Sequence, residues 1–197
     1  MDVSAAQGPI DWLRVRQSAY TFAFVRATDG ADTIDPGFAT NWPACREAGL
    51  IRSAYHVLDP RRSAIDQAKA FLEVAQPQIG DLPPALAVAG LRGAEPEATA
   101  ATLTEWLQIV ADTVGAPPLI ATAARVWDPL AAVGAAADEN PLWVIAPGAD
   151  EPPLPVGWST WTFWRLHDDR TIPGLDGPAH VDAFAQGTRE LFAMLLR

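Results

Sequence analysis

Along the chain, short runs of β-branched, aromatic and alanine residues alternate with longer stretches whose apolar positions recur every three or four residues. The short runs predict strands at Asp2–Ser4, Phe22–Thr28, Ile51–Val57, Ala85–Ala89, Leu119–Thr122, Leu142–Ala146 and Thr160–Leu166, with a short piece at Val181–Ala183. The periodic stretches predict helices. Ile10–Ser18 follows a proline, Gly37–Ala48 is closed by Gly49, and Ser63–Ala75 opens on a serine cap. Glu97–Val114 ends at Gly115, the alanine-rich link Arg125–Asn140 predicts a shorter helix, and Ala183–Leu196 closes the chain.

Strand–helix alternation implies parallel pairing through right-handed crossovers. About eight strands favour closure over an open sheet. The expected fold is therefore α/β: an irregular, single-domain (β/α) TIM-like barrel over residues 1–197 with a mainly parallel sheet. From residue 141 onward the strands come with short connections, so antiparallel or irregular pairing is expected there. "APGADEPPLPVG" reads as a rigid loop. In such a barrel, chemistry belongs at the C-terminal ends of the strands. The first three strands and the last end in polar groups, among them Asp2, Arg26, Thr28, Asp29, Tyr55, His56 and Asp182. The middle strands end in Ala87, Ala89, Ala121 and Ala146, with no carboxylate, hydroxyl, imidazole or thiol from Ala85 to Arg92.

Composition narrows the function classes. A formal net charge of −10 argues against nucleic acid, whose phosphates call for a lysine and arginine surface. No run approaches the roughly 18 apolar residues of a membrane span. No charged n-region with an apolar h-region opens the sequence, so the chain as given carries no secretory signal. That leaves a cytoplasmic protein, one exported by another route, or a trimmed domain. Cys45 is the sole cysteine and reads as a small buried hydrophobe. No Cys or His spacing supports a metal, no glycine-rich loop supports a phosphate, and no cofactor is implied.

Several motifs together resemble glycoside hydrolase family 25, the lysozyme-like N-acetylmuramidases. "MDVSAAQGPIDW" is similar to the family's D-V-S-x-x-Q-G opening followed by I-D-W, and "FAFVRATDG" to F-x-F-x-K-A-T-E-G. "DPGFATNWPACREAGL", "SAYHVL", "QAKAF", "PLWV" and "WSTWTFWRLHDDRTIPGLDGPAHVD" resemble further family motifs in order, from Asp2 to about Gly187. The resemblance implies a barrel that hydrolyses the β-1,4 link between N-acetylmuramic acid and N-acetylglucosamine. Such cleavage uses one carboxylic acid as proton donor and a second group that attacks or stabilises the oxocarbenium centre.

The family carries its acids in L-P-P-x-L-D-V-E, and this chain reads "DLPPALAV". By that anchor the Asp falls on Ala87 and the proton-donating Glu on Ala89. Ala121 stands at a family tyrosine, and Arg165 and Leu166 follow Trp164 where the family reads W-Q-Y. Asp2, Tyr55, His56, Trp143, Trp161, Trp164 and Asp182 stay in register. Asp2 and Asp182 read either as a replacement acid pair or as groups holding strand ends together. His56 reads as a structural histidine in preference to a base or ligand, its only possible imidazole partners being His167 and His180. Trp143, Trp161 and Trp164 read as sugar-stacking faces or as core, with Tyr55 and His56 as the other candidate substrate contacts.

Three functions follow as expectations. First comes a pseudoenzyme lacking its catalytic pair and binding another protein, as an adaptor or structural module linked to the cell wall or a secretion system. Second is a non-hydrolytic peptidoglycan-binding module. Third is an active muramidase using Asp2 and Asp182.

Overall fold

The computed structural model describes residues 1–136 and 139–197. Its strands are β1 (Asp2–Val3), β2 (Phe22–Asp29), β3 (Thr33–Ile34), β4 (Ile51–Val57), β5 (Ala85–Val88), β6 (Leu119–Thr122), β7 (Leu142–Ile145), β8 (Phe163–Arg170) and β9 (Ala179–Phe184). They follow the order β1-β9-β8-β7-β6-β5-β4-β2, and β1 also pairs with β2, which closes an eight-stranded barrel; β3 hangs from β2 as an antiparallel appendage. Pairing is parallel from β1 through β2, β4, β5, β6 and β7 to β8. The antiparallel pairs are β8–β9 and β9–β1. The break in direction therefore comes later than residue 141. β7 and β8 still run parallel, joined by a helix-free connection over 146–162.

The helices are α1 (Trp12–Gln17), α2 (Phe38–Glu47), α3 (Ala64–Ala75), α4 (Pro96–Val114), α5 (Ala124–Ala131) and α6 (Thr188–Ala193). Asp11 caps α1 by accepting from the Arg14 N–H, and Ser63 caps α3 through the Asp66 N–H. These caps place the starts one or two residues inside the expected spans. Two expectations shrink. The Arg125–Asn140 helix stops at Ala131, with 137–138 outside the described residues. The C-terminal helix gives up Ala183 and Phe184 to β9, because those residues continue the ladder opposite Phe163 and Trp164.

Strand alternation sorts the barrel into two cores. Inward positions Phe22, Phe24, Tyr55, Ala85, Leu119, Ala121, Trp143 and Phe163 fill the interior. Outward positions Val25, Ala54, Leu86, Val88 and Ile120 pack beneath α2 to α5 with Phe71, Leu103, Trp106 and Trp127. Both faces are buried, as a parallel sheet wrapped in helices requires. The interior is plugged by aromatics: Phe24 stacks on Trp143 at 4.0 Å between centroids, and Phe163 lies edge-on to Phe22 and Phe24 at 5.1 and 5.0 Å. Trp12, Trp42, Trp106 and Trp127, all on helices, are buried as their helical spacing predicts.

Candidate functional site at the barrel mouth

The aromatic plug sets a floor, and above it the C-terminal ends of β4 to β8 enclose a cavity of about 190 Å³. Trp143 forms the base. Tyr55, Ala87, Ala89, Ala121 and Ile145 form much of the wall, with Arg125 and Arg165 supplying its charged groups. Ala87 and Ala121 face each other across the β5–β6 ladder, and the Thr122 hydroxyl beside them is bonded to the Val88 carbonyl.

Arg165 reaches the mouth because β8 alternates: Phe163 points into the plug and Arg165 takes the next inward position, opposite Asp182 on β9. Its Nη2 lies 2.8 Å from Asp2 Oδ2, and its guanidinium sits 5.4 Å from the Trp143 ring centroid. Asp2 Oδ1 in turn meets His180 Nδ1 at 2.8 Å, across the β1–β9 pairing. Asp182 Oδ1 accepts from Trp143 Nε1 at 2.8 Å, and its Oδ2 lies 3.5 Å from the Met1 amino group.

These partners decide the acids' states. Burial pushes the Asp2 carboxyl upward, but the His180 hydrogen bond and the charges of Arg165 and His180 outweigh it and hold Asp2 below its ordinary range. Asp182 is raised instead, by burial and then by the nearby Asp2 charge. His180 is raised by its hydrogen bond to Asp2. The structure thus brings Asp2 and Asp182 into one buried cluster. Neither lines the cavity; in each, Oδ1 is hydrogen-bonded while the buried Oδ2 has only an ionic neighbour, Arg165 or the Met1 amino group.

His56 is placed elsewhere. Tyr55 points inward and its neighbour must point outward, so His56 lies fully buried in the helix layer, stacked on Trp106 at 5.4 Å. Gln67 Nε2 donates to the carbonyls of Asp59, Arg62 and Ser63, leaving Gln67 Oε1 as the acceptor for His56 Nε2–H at 3.1 Å. Nδ1 then accepts from the Thr28 hydroxyl at 2.8 Å. Burial lowers this imidazole to about 4, so it is neutral. His56 accordingly does not line the cavity, unlike its neighbour Tyr55.

Trp161 and Trp164 are also displaced from the cavity. Trp164 falls on the outward parity of β8, donates from Nε1 to the Ala146 carbonyl, and meets Trp161 edge-on at 5.7 Å. Of the expected aromatic contacts, Tyr55 and Trp143 line the cavity; burial pushes the Tyr55 hydroxyl upward, keeping it protonated. Among the described residues no group of three His, Cys, Asp or Glu side chains is arranged to hold a metal ion.

An ionic rim that no motif in the sequence marks borders the mouth. Arg92, at a left-handed φ of +50°, pairs with Asp29 at 2.7 Å and reaches Asp59 at 3.8 Å. Arg61 grips Asp59 with two hydrogen bonds of 2.9 Å and, by those bonds, lowers it to about 2. The inward parity of Arg165 two residues after Phe163 was the signal available in the sequence; the meeting of Asp2 with His180 spans nearly the whole chain and left none.

Comparison with known proteins agrees with this architecture. The sequence model of the family described as Glycosyl hydrolases family 25 matches residues 1–175. The Escherichia coli K12 protein YegX is 33% identical over 200 residues, covering 99% of this chain and 72% of YegX. Lysozyme M1 of Streptomyces globisporus is 26% identical over 205 residues, covering 98% of this chain and 70% of that enzyme. A bacterial lysozyme from Streptomyces coelicolor superimposes with a TM-score of 0.92 at 27% identity, covering 99% and 95% of the two chains. A family 25 glycosyl hydrolase from Bacillus anthracis shares the fold, with a TM-score of 0.89 at 20% identity over 99% and 92%.

Proposed function

The chain belongs to glycosyl hydrolase family 25, and on that footing we propose that this muramidase-like barrel, acting as one domain over 1–197, holds peptidoglycan glycan without cutting it. One observation carries the proposal: the β5 end, where the family acids would stand, presents Ala87 and Ala89 to an open cavity that no carboxylate lines among the described residues. A positioned general acid contributes about a hundred- to ten-thousandfold in rate. Nothing at this strand end replaces it. The two retained acids do not fill the role, because Asp2 is held ionised between Arg165 and His180 and Asp182 is shielded beneath the mouth.

Binding is favoured over collapse because the cavity stays open. Its Trp143 and Tyr55 walls offer aromatic surface, and its volume suits one ring. Retention of the purified protein on insoluble peptidoglycan, competed by soluble glycan fragments, is the expected result; loss of retention at low ionic strength counts against it.

A second reading, a protein adaptor, draws on a different surface. An open trough of about 740 Å³ lies along α4, walled by Glu97, Ala100, Glu105, Ile109 and Val133. Gentle extraction that brings down a stoichiometric protein partner, with no retention on peptidoglycan, would favour it.

A further inference from the structure

Among the described residues, every charged side chain lining the mouth cavity is cationic, in a chain whose net charge is −10. From this we infer that the cavity is a carboxylate site, taking a compact ligand that joins one carboxylate to a small apolar body. Three features point the same way. First, the volume of about 190 Å³ lies below the roughly 300 Å³ where pockets begin to admit drug-sized ligands. One ring or a short acyl chain fits, and the methyls of Ala87 and Ala121 with the Trp143 face supply its apolar surround.

Second, Arg165 is pre-oriented. Asp2 fixes one edge of the guanidinium and Trp143 lies beneath it. A planar fork held this way suits two-point recognition of a carboxylate. Asp2 offsets part of that charge while also bonding His180. Arg125, exposed at the start of α5, adds a second cation to the lining.

Third, Ala123 and Arg125, at the start of α5, line the cavity, and no side chain caps that helix. Its first N–H groups and dipole reinforce the two arginines toward an anion. A glycan-cutting site needs carboxylates at this point, whereas the charged side chains that line this cavity among the described residues are arginines.

The inference does not depend on retention of glycan polymer, and its test separates the two. Binding is measured by tryptophan fluorescence or calorimetry with two matched pairs. Hexanoate against hexanamide probes a free acid; N-acetylmuramic acid against N-acetylglucosamine probes a carboxylate carried on a sugar. In at least one pair the acid should bind tenfold or more tightly than its neutral partner. That preference should fall at least fivefold in Arg165→Gln and Arg125→Ala, and binding should be lost when Ala87→Leu fills the cavity. If Arg165→Gln does not fold, the exposed Arg125→Ala and the cavity-filling Ala87→Leu decide. Equal binding of acid and neutral partner, no binding of any probe, or a preference unchanged in these variants overturns the inference. Such a result alongside retention on peptidoglycan would strike the carboxylate site alone.

Discussion

Acid should weaken this fold through His56 in a definite window. The imidazole is sealed between Thr28, Gln67 and Trp106, and burial lowers it from the ordinary 6.5 to about 4. Between those values the unfolded chain binds the proton and the folded chain does not. Stability from this site is therefore complete above pH 6.5, drains as pH falls, and is gone by about pH 4. At about 1.4 kcal/mol per pH unit, the drop amounts to about 3 kcal/mol. Protonating Nδ1 also forces the Thr28 hydroxyl to turn from donor to acceptor. Urea unfolding of the wild type and His56→Gln at pH 7.5 and pH 4 isolates the effect, since other groups titrate alike in both. The variant should lose about 3 kcal/mol less than the wild type across the interval, and the His56 ring should show no titration by NMR between pH 7.5 and 5. Equal losses in the two proteins, or a ring that titrates near 6.5, would refute the buried neutral imidazole.

Two other sites make sharp predictions. Asp81 is buried and holds Arg52 at 2.8 Å, while Arg52 also donates to the Trp42 carbonyl and covers the Trp42 ring at 3.7 Å. Asp81→Ala strands that cation and should cost about 3–5 kcal/mol, whereas the apolar double change Arg52→Met with Asp81→Leu should recover most of it; denaturant midpoints decide. Gly174 sits at φ +100°, and a Cβ there would come within 2.5 Å of the Asp11 carbonyl oxygen, beside the Asp11 N–H to Gly174 carbonyl bond that pins the β8–β9 loop to α1. Gly174→Ala should cost about 2 kcal/mol or more, seen as a lowered Tm; an unchanged Tm would mean the loop yields freely.

Local pattern carried much of the architecture. β4 and β6 fall on the expected residues: β6 is a short apolar run closed by a threonine, and β4 keeps β-branched and aromatic residues between turn residues despite Arg52, Ser53 and His56. β3 escaped notice, since Thr33 and Ile34 are both exposed and carry no alternation to read. β8 begins three residues later than the expected Thr160–Leu166 and runs on to Arg170, and β9 exceeds the expected Val181–Ala183, because each supplies the other's hydrogen bonds across polar positions such as His167 and Arg170, which apolar patterning does not flag. The candidate site was legible in what it lacks, Ala87 and Ala89, and only partly in what it has. Parity along a strand sends His56 and Trp164 outward while Tyr55 and Arg165 turn in, and a motif position alone carries no parity. The capture of Asp2 by Arg165 and His180 depends on barrel closure, which joins the first strand to the last.

Reducing-end release from purified insoluble peptidoglycan decides whether this barrel cuts glycan. The wild-type protein should release no more than buffer from pH 4 to pH 8, alongside an active family 25 muramidase as a positive control. Release above buffer by the wild type, abolished in Asp2→Asn, would contradict binding without cleavage and return the chemistry to the retained carboxylates.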